Sequence, residues 1–320
     1  MTRLLSIVSL AALVAGCASN ALPVSALTAP STSRSIARSS LVYPLLYVGD
    51  LGKSEVFVDS YPSGKTKFTL SSPGSVNGLC TDFNGNVYVS DAHDQELIEF
   101  QYASTKQLRV LKDPGYYLGG CSVDITNGNV AVATQPANSN PGGIAIFRKG
   151  KGKAHNYTSN PTYFARSCAY DDKGNLYVDG TTVNGSFFLA EMPAKSDAFT
   201  IVTLNQSITA AGGVQWDARR NLVVVNDQGV GYQGSTIYEF SVSGSTGTKQ
   251  GTTPLTGSTD VTGFTLDESG SGRVIGTNTG STPSVMYWKY PKGGNATKML
   301  TGFYEPVSVV IASEPSAPRR

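Results

Sequence analysis

Few residues of this chain are of a type that does chemistry, and their spacing limits what they can do. There are two histidines, His93 and His155, and four cysteines, Cys17, Cys80, Cys121 and Cys168. A set of acids, Asp82, Asp124, Asp171, Asp217 and Asp267, recurs along the chain. Nucleophilic catalysis of the Ser-His-Asp kind needs an imidazole held against a hydroxyl. His93 falls in a polar turn and His155 beside the basic run 148–153, so both are read as exposed. No glycine-rich loop opens a helix, which removes the usual phosphate cradle of nucleotide cofactors. The recurring acids each stand just before Gly- or Asn-bearing turns. Asn and Gly there accommodate the left-handed backbone of a tight hairpin, so these acids report fold, not a row of metal sites. No catalytic residue, resident metal or cofactor is expected.

The elements that position any site come from a repeat. Residues 76–100, VNGLCTDFNGNVYVSDAHDQELIEF, read as strand, turn, alternating strand, polar turn and strand. Variants follow: GCSVDITNGNVAVAT, SCAYDDKGNLYVDG, GVQWDARRNLVVVND and GFTLDESGSGRVIGT. Taking Gly85, Gly128, Gly174, Arg220 and Gly272 as landmarks, the steps are 43, 46, 46 and 52 residues. A sixth copy is split, with LLYVGD at 45–50 opening in mid-unit and PVSVVIA at 306–312 supplying the missing first strand. Radial repetition of such four-stranded units makes an all-β, six-bladed β-propeller, closed by pairing of the N- and C-terminal strands; merging or dividing the long fifth unit would give five or seven blades instead.

The text NGLCTDFNGNVYVSD at 77–91 and its echo at 167–179 resemble the repeats of six-bladed NHL and SMP-30 (gluconolactonase)-like propellers. The similarity spans roughly residues 41–312 as architecture. In the lactonase-like members, acidic and Asn side chains at the inner-strand starts of different blades converge on a divalent cation. With Asn77 as reference, the equivalent positions are Gly119, Arg166, Gly212, Thr262 and Glu305 or Pro306. Two glycines and an arginine do not make the oxygen-rich set a hard cation requires.

What these positions offer instead is a ligand-binding lining: Asn77, Arg166, Asp260 and Glu305 facing the axis, with Tyr117, Phe164 and Tyr304 at the rim. The aromatics belong to the pairs Tyr116-Tyr117, Tyr163-Phe164 and Phe303-Tyr304, read as connections between blades. They either cover a ligand's apolar face or wedge blades together. An Arg facing carboxylates suits a polar or zwitterionic ligand; the alternative is an Arg166–Glu305 ion pair that plugs the channel. Trp216 and Trp288 read as core.

Composition and termini set the address. With 25 Lys and Arg against 23 Asp and Glu the charge is near neutral, so neither a nucleic-acid footprint nor a polybasic membrane patch is implied. Residues 1–17 show a basic start, a short apolar core and Val-Ala-Gly-Cys, which resembles the bacterial lipobox; lipidation of Cys17 is expected. Ala18 next to it favours the outer membrane in a Gram-negative source, with a secreted or periplasmic product as the alternative. Residues 18–40 read as a flexible tether and 313–320 as a disordered tail. Cys121 and Cys168 occupy the same place in successive blades and face the same way. Cys80 is offset by one residue and faces oppositely, so Cys80 and Cys121 either pair or, like Cys168, remain buried thiols. The functional expectation is a lipid-anchored envelope propeller that binds a glycan, a small polar ligand or an envelope protein. The alternatives are a lactonase- or lyase-like enzyme and a structural spacer.

Overall fold

The computed structural model describes residues 44–71, 73–137, 141–158, 164–229, 231 and 233–314. The expected leader, Cys17, tether and most of the tail lie outside the described residues. Six sheets, antiparallel except for two short parallel additions to one of them, follow one another along the chain and form a six-bladed β-propeller; among the described residues there is no α-helix. The inner strands are Pro306–Ala312 in blade 1, Val76–Thr81 in blade 2, Tyr116–Val123 in blade 3, Phe164–Tyr170 in blade 4, Ala211–Asp217 in blade 5 and Val261–Leu266 in blade 6.

Blade 1 closes the ring. Leu45–Asp50 pairs on one side with Glu55–Ser60 and on the other with Pro306–Ala312, in the register Leu45↔Ala312 to Gly49↔Ser308. The long fifth unit has a physical reason as well. Its outer hairpin, Ser235–Ser243 with Thr246–Thr256, is extended and picks up short strands at Thr203–Leu204 and Gly294–Asn295.

Strand alternation produces the core. Leu45 and Tyr47 pack with Val76, Leu79 and Val89 of blade 2, while Leu46 and Val48 pack with Ile275, Val285 and Tyr287 of blade 6. Each blade thus buries both faces, and six apolar clusters fill the six blade interfaces. Trp288 is fully buried in one of them, its Nε1 donating to the Thr256 carbonyl at 3.1 Å.

The recurring acids are structural, as their spacing implies. Oδ1 of Asp82, Asp124, Asp171, Asp217 and Asp267 accepts the backbone N–H two residues on, at 2.8 to 3.1 Å. The left-handed residue of the turn is Gly85, Gly128 or Gly174 in blades 2 to 4, and Asn221, not the landmark Arg220, in blade 5. Tyrosines carry these turns across blade boundaries: Tyr290 donates to Asp217 at 2.9 Å, and Tyr61 of blade 1 donates to Asp267 of blade 6.

Cys80 and Cys121 form a disulfide, so of the two readings of these cysteines the buried-thiol one does not hold for this pair; Cys168 is the buried free thiol. Parity explains the outcome. Cys80 and Cys121 face each other across the interface of blades 2 and 3, whereas Cys168 points into the interface of blades 3 and 4. A bridge over 41 residues stabilises by about 4 kcal/mol on the chain-entropy account.

Removing residues 306–320 takes away the inner strand of blade 1 and bares the edge of Leu45–Asp50 with which it pairs. Thermal unfolding of that truncation is expected to show loss of much of a stability of roughly 5–15 kcal/mol. An unchanged midpoint would contradict closure by this strand.

Candidate functional site

Every inner strand breaks register near its start. The shifts fall between Val76 and Gly78, Leu118 and Cys121, Ala165 and Ser167, Ala211 and Val214, Val261 and Gly263, and opposite Gly49 and Asp50 in blade 1. The residues left out of the ladder are Asn77, Gly119 with Gly120, Arg166, Gly212 with Gly213, Thr262 and Val307. A β-bulge bends its strand and re-aims the extra side chain. These six bulges form a ring about the axis, and five of the six positions are those expected from the sequence. In blade 1 the position is Val307, not Glu305 or Pro306, because Asp50 pairs with Pro306 and the bulge follows it.

The ring is drawn tight by backbone contacts. The Asn77 amide donates to the Leu118 carbonyl at 2.9 Å. A Cβ on Gly78 would meet the Gly119 carbonyl oxygen at 2.2 Å, and one on Gly119 would meet that of Arg166 at 2.7 Å, so glycine is required where these strands touch. Four blades also fix the approach to the inner strand with a side chain at the end of the second strand. Asp50 accepts the N–H groups of Tyr304 and Glu305, Asp91 those of Gly74 and Ser75, Asp227 those of Thr209 and Ala210, and Asn278 those of Thr259 and Asp260.

An axial channel of about 1210 Å³ runs through the ring. Asn77, Arg166, Asp260, Thr262, Tyr304 and Glu305 line it, together with Gln135, Gln228 and Thr279, which the sequence reading missed. Tyr117 and Phe164 are not among the lining residues. Tyr116 and Tyr117 begin the inner strand of blade 3 and Phe164 that of blade 4, so these are strand residues and not connections. Phe303 wedges instead, edge-on against Phe57 at 5.4 Å, while Tyr304 is 68% exposed at the mouth. Trp216 packs against the core between blades 4 and 5, stacked on Tyr177 at 6.1 Å, and its half-buried ring also borders the channel. At the opposite mouth the residue after each turn acid faces the channel: Phe83, Ile125, Asp172, Ala218 and Glu268. His93 and His155 are exposed, and His93 sits 2.8 Å from Asp94.

Arg166 dominates the ring electrostatically. Its Nη2 crosses from blade 4 to blade 6 and donates to the Thr262 carbonyl at 2.9 Å. Among the described residues no ion pair joins it to Glu305. Burial lowers the Arg166 pKa, while Asp179 and Asp260 oppose that shift. Asp179, also missed in the sequence, is fully buried behind the channel wall. Its Oδ2 accepts the Gly213 N–H at 2.9 Å, and its Oδ1 has no hydrogen-bond partner among the described residues. Burial pushes its carboxyl up to about 7, against the pull of the Arg166 guanidinium and of backbone N–H groups.

A divalent cation, as the lactonase-like resemblance implies, does not fit this ring. The ring positions carry one amide, one hydroxyl, one guanidinium, two glycine pairs and a valine. No group of three or more His, Cys, Asp or Glu among the described residues is placed to hold a metal.

No protein-family model and no curated protein matches the sequence. Solved structures do match its fold. A chain of a crystallised nidogen/laminin complex superposes with a TM-score of 0.68 at 12% identity, over 85% of this chain and 100% of that one. A Bacteroides caccae protein of unknown function superposes with a TM-score of 0.63, also at 12% identity, over 85% of this chain and 100% of its own. At that identity the likeness is one of fold: this is a β-propeller with an open axial channel.

The buried Asp179 generates a pH dependence. Its unfolded-state pKa is near 4. Between about 4 and 7 the native protein keeps a proton that the unfolded chain has lost. Its contribution to stability is therefore fully present below about 4 and is lost as pH rises through 7. Asp179→Asn removes this term, so the stability of the variant relative to wild type is expected to rise by up to about 4 kcal/mol between pH 4 and pH 8. Denaturant unfolding across that range is the measurement, and a pH-independent difference would contradict it.

Proposed function

We propose that this propeller is a lipid-anchored cell-envelope binding module that holds a ligand, or a partner's polar group, at the bulge-ring end of its channel without turning it over. The observation that carries the reading is Arg166. A guanidinium is placed on a bulge at the axis, faces a channel large enough for a small-molecule ligand, and makes a single hydrogen bond to the protein among the described residues. A cation buried only to hold the fold would be expected to be paired with a carboxylate. Asn77, Asp260, Glu305 and Tyr304 are its partners in the lining.

The Cys80–Cys121 bridge supports the envelope address, because disulfides persist in oxidising compartments. So does the Val-Ala-Gly-Cys text ending at Cys17. An outer-membrane anchor through an acylated Cys17 is the form in which we place it. Mass spectrometry of the mature N-terminus tests this, and a soluble product beginning elsewhere would remove the anchor from the proposal. The lactonase-type alternative rests on resemblance alone, and the ring lacks its donor set.

A glycan and metabolite array on wild type and Arg166→Ala tests the binding reading. A ligand held by wild type and lost in the variant is the expected outcome. Identical profiles, with only a lower unfolding temperature in the variant, would reduce Arg166 to a structural strut.

A further inference from the structure

Arg166 brings five N–H donors into the channel, and the protein engages Nη2 alone among the described residues. Asp260 lines the same space from blade 6. It stands two residues before Thr262, whose carbonyl Arg166 touches, so about 7 Å of extended chain separates that contact from the Asp260 residue. Asp260 Oδ2 accepts the Thr279 hydroxyl at 3.1 Å, and Oδ1 makes no hydrogen bond among the described residues. Among the described residues no ion pair joins Arg166 to Asp260, although Asp260 is close enough to oppose the lowering of the Arg166 pKa. Opposite charges thus face one cavity at short range, each with unused hydrogen-bonding capacity.

The nearby groups do not complete either charge. Asp179 lies behind the wall and spends one oxygen on the Gly213 N–H. The Asn77 amide is committed to Leu118. Glu305 is exposed at the mouth, which adds negative charge on the Asp260 side of the balance. A ligand that is only anionic would satisfy Arg166 and meet carboxylates unpaired. One that is only cationic would satisfy Asp260 and meet the guanidinium. Both mismatches are costly where water is partly excluded.

We propose that the ring binds a small zwitterion of the α-amino acid class, with its carboxylate forked on Arg166 and its ammonium on Asp260. This rests on the binding reading above. An internal peptide segment carries neither terminal charge, and one end of a long peptide carries one, so the occupant is a free amino acid or a close analogue that keeps both charges.

The test is calorimetric titration of the full chain with the proteinogenic α-amino acids, each compared with its N-acetyl derivative, which loses the ammonium, and its carboxamide, which loses the carboxylate. At least one amino acid is expected to bind, with both derivatives weaker by about tenfold or more, as loss of a charge-assisted hydrogen bond implies. Arg166→Gln is expected to erase discrimination between the acid and its carboxamide, and Asp260→Asn that between the acid and its N-acetyl form. The wild-type comparison alone decides the matter if a variant fails to fold. A derivative that binds as tightly as its parent overturns the zwitterion assignment while leaving the channel a binding site. Absence of binding by every compound also overturns it, and the binding reading then stands or falls on the array.

Discussion

The structure depends on one pairing, that of Leu45–Asp50 with Pro306–Ala312. Each blade buries both of its faces against neighbours, so the ring gains its full apolar burial only when the last interface is made. The two sides of Leu45–Asp50 show the dependence directly. Leu45 and Tyr47 serve the interface with blade 2, and Leu46 and Val48 serve that with blade 6. Loss of the closing strand would open two interfaces together, those served by Ala312 and Val309, and leave a row of unpaired backbone groups along Leu45–Asp50.

Closure also sets the site. The inner strands meet about the axis, and each relieves the crowding with a bulge that turns a residue toward the channel. Glycines take the positions where backbones touch, and the remaining side chains furnish the chemistry. Arg166 reaches across to the Thr262 carbonyl because the intervening blade offers Gly212 and Gly213 there. The same glycine pair gives Asp179 a backbone donor. Arg166 is therefore a product of ring geometry, and its charge acts on both Asp179 behind the wall and Asp260 in the lining.

Much of this was legible in the sequence, for stated reasons. The turns recur because each hairpin needs its left-handed residue and its N–H groups satisfied, so the spacing of Gly85, Gly128, Gly174, Arg220 and Gly272 indicates the blade number and the split unit the closure. Strand parity allowed the Cys80–Cys121 bridge and separated Cys168 from it. Parity also explains what was missed. Asp179 sits in LYVDG one residue ahead of the place held by Asp91 in VYVSD, so it faces the blade interface and not the approach to the inner strand. Val307 was not legible, since its bulge depends on the pairing of Pro306 with Asp50 at the other end of the chain. Tyr117 and Phe164 were misplaced because the inner strands begin earlier than the apolar pattern suggests.

Amide hydrogen exchange of the intact protein tests closure most directly. If blade 1 is an integral part of one cooperative ring, the amides of residues 46–48 and 309–311 exchange only through global unfolding, as slowly as those of Val87–Asp91 in the continuous blade 2. Exchange of residues 309–311 that is orders of magnitude faster, with blades 2 to 6 still protected, would show a strand that docks and leaves on its own and would contradict the account.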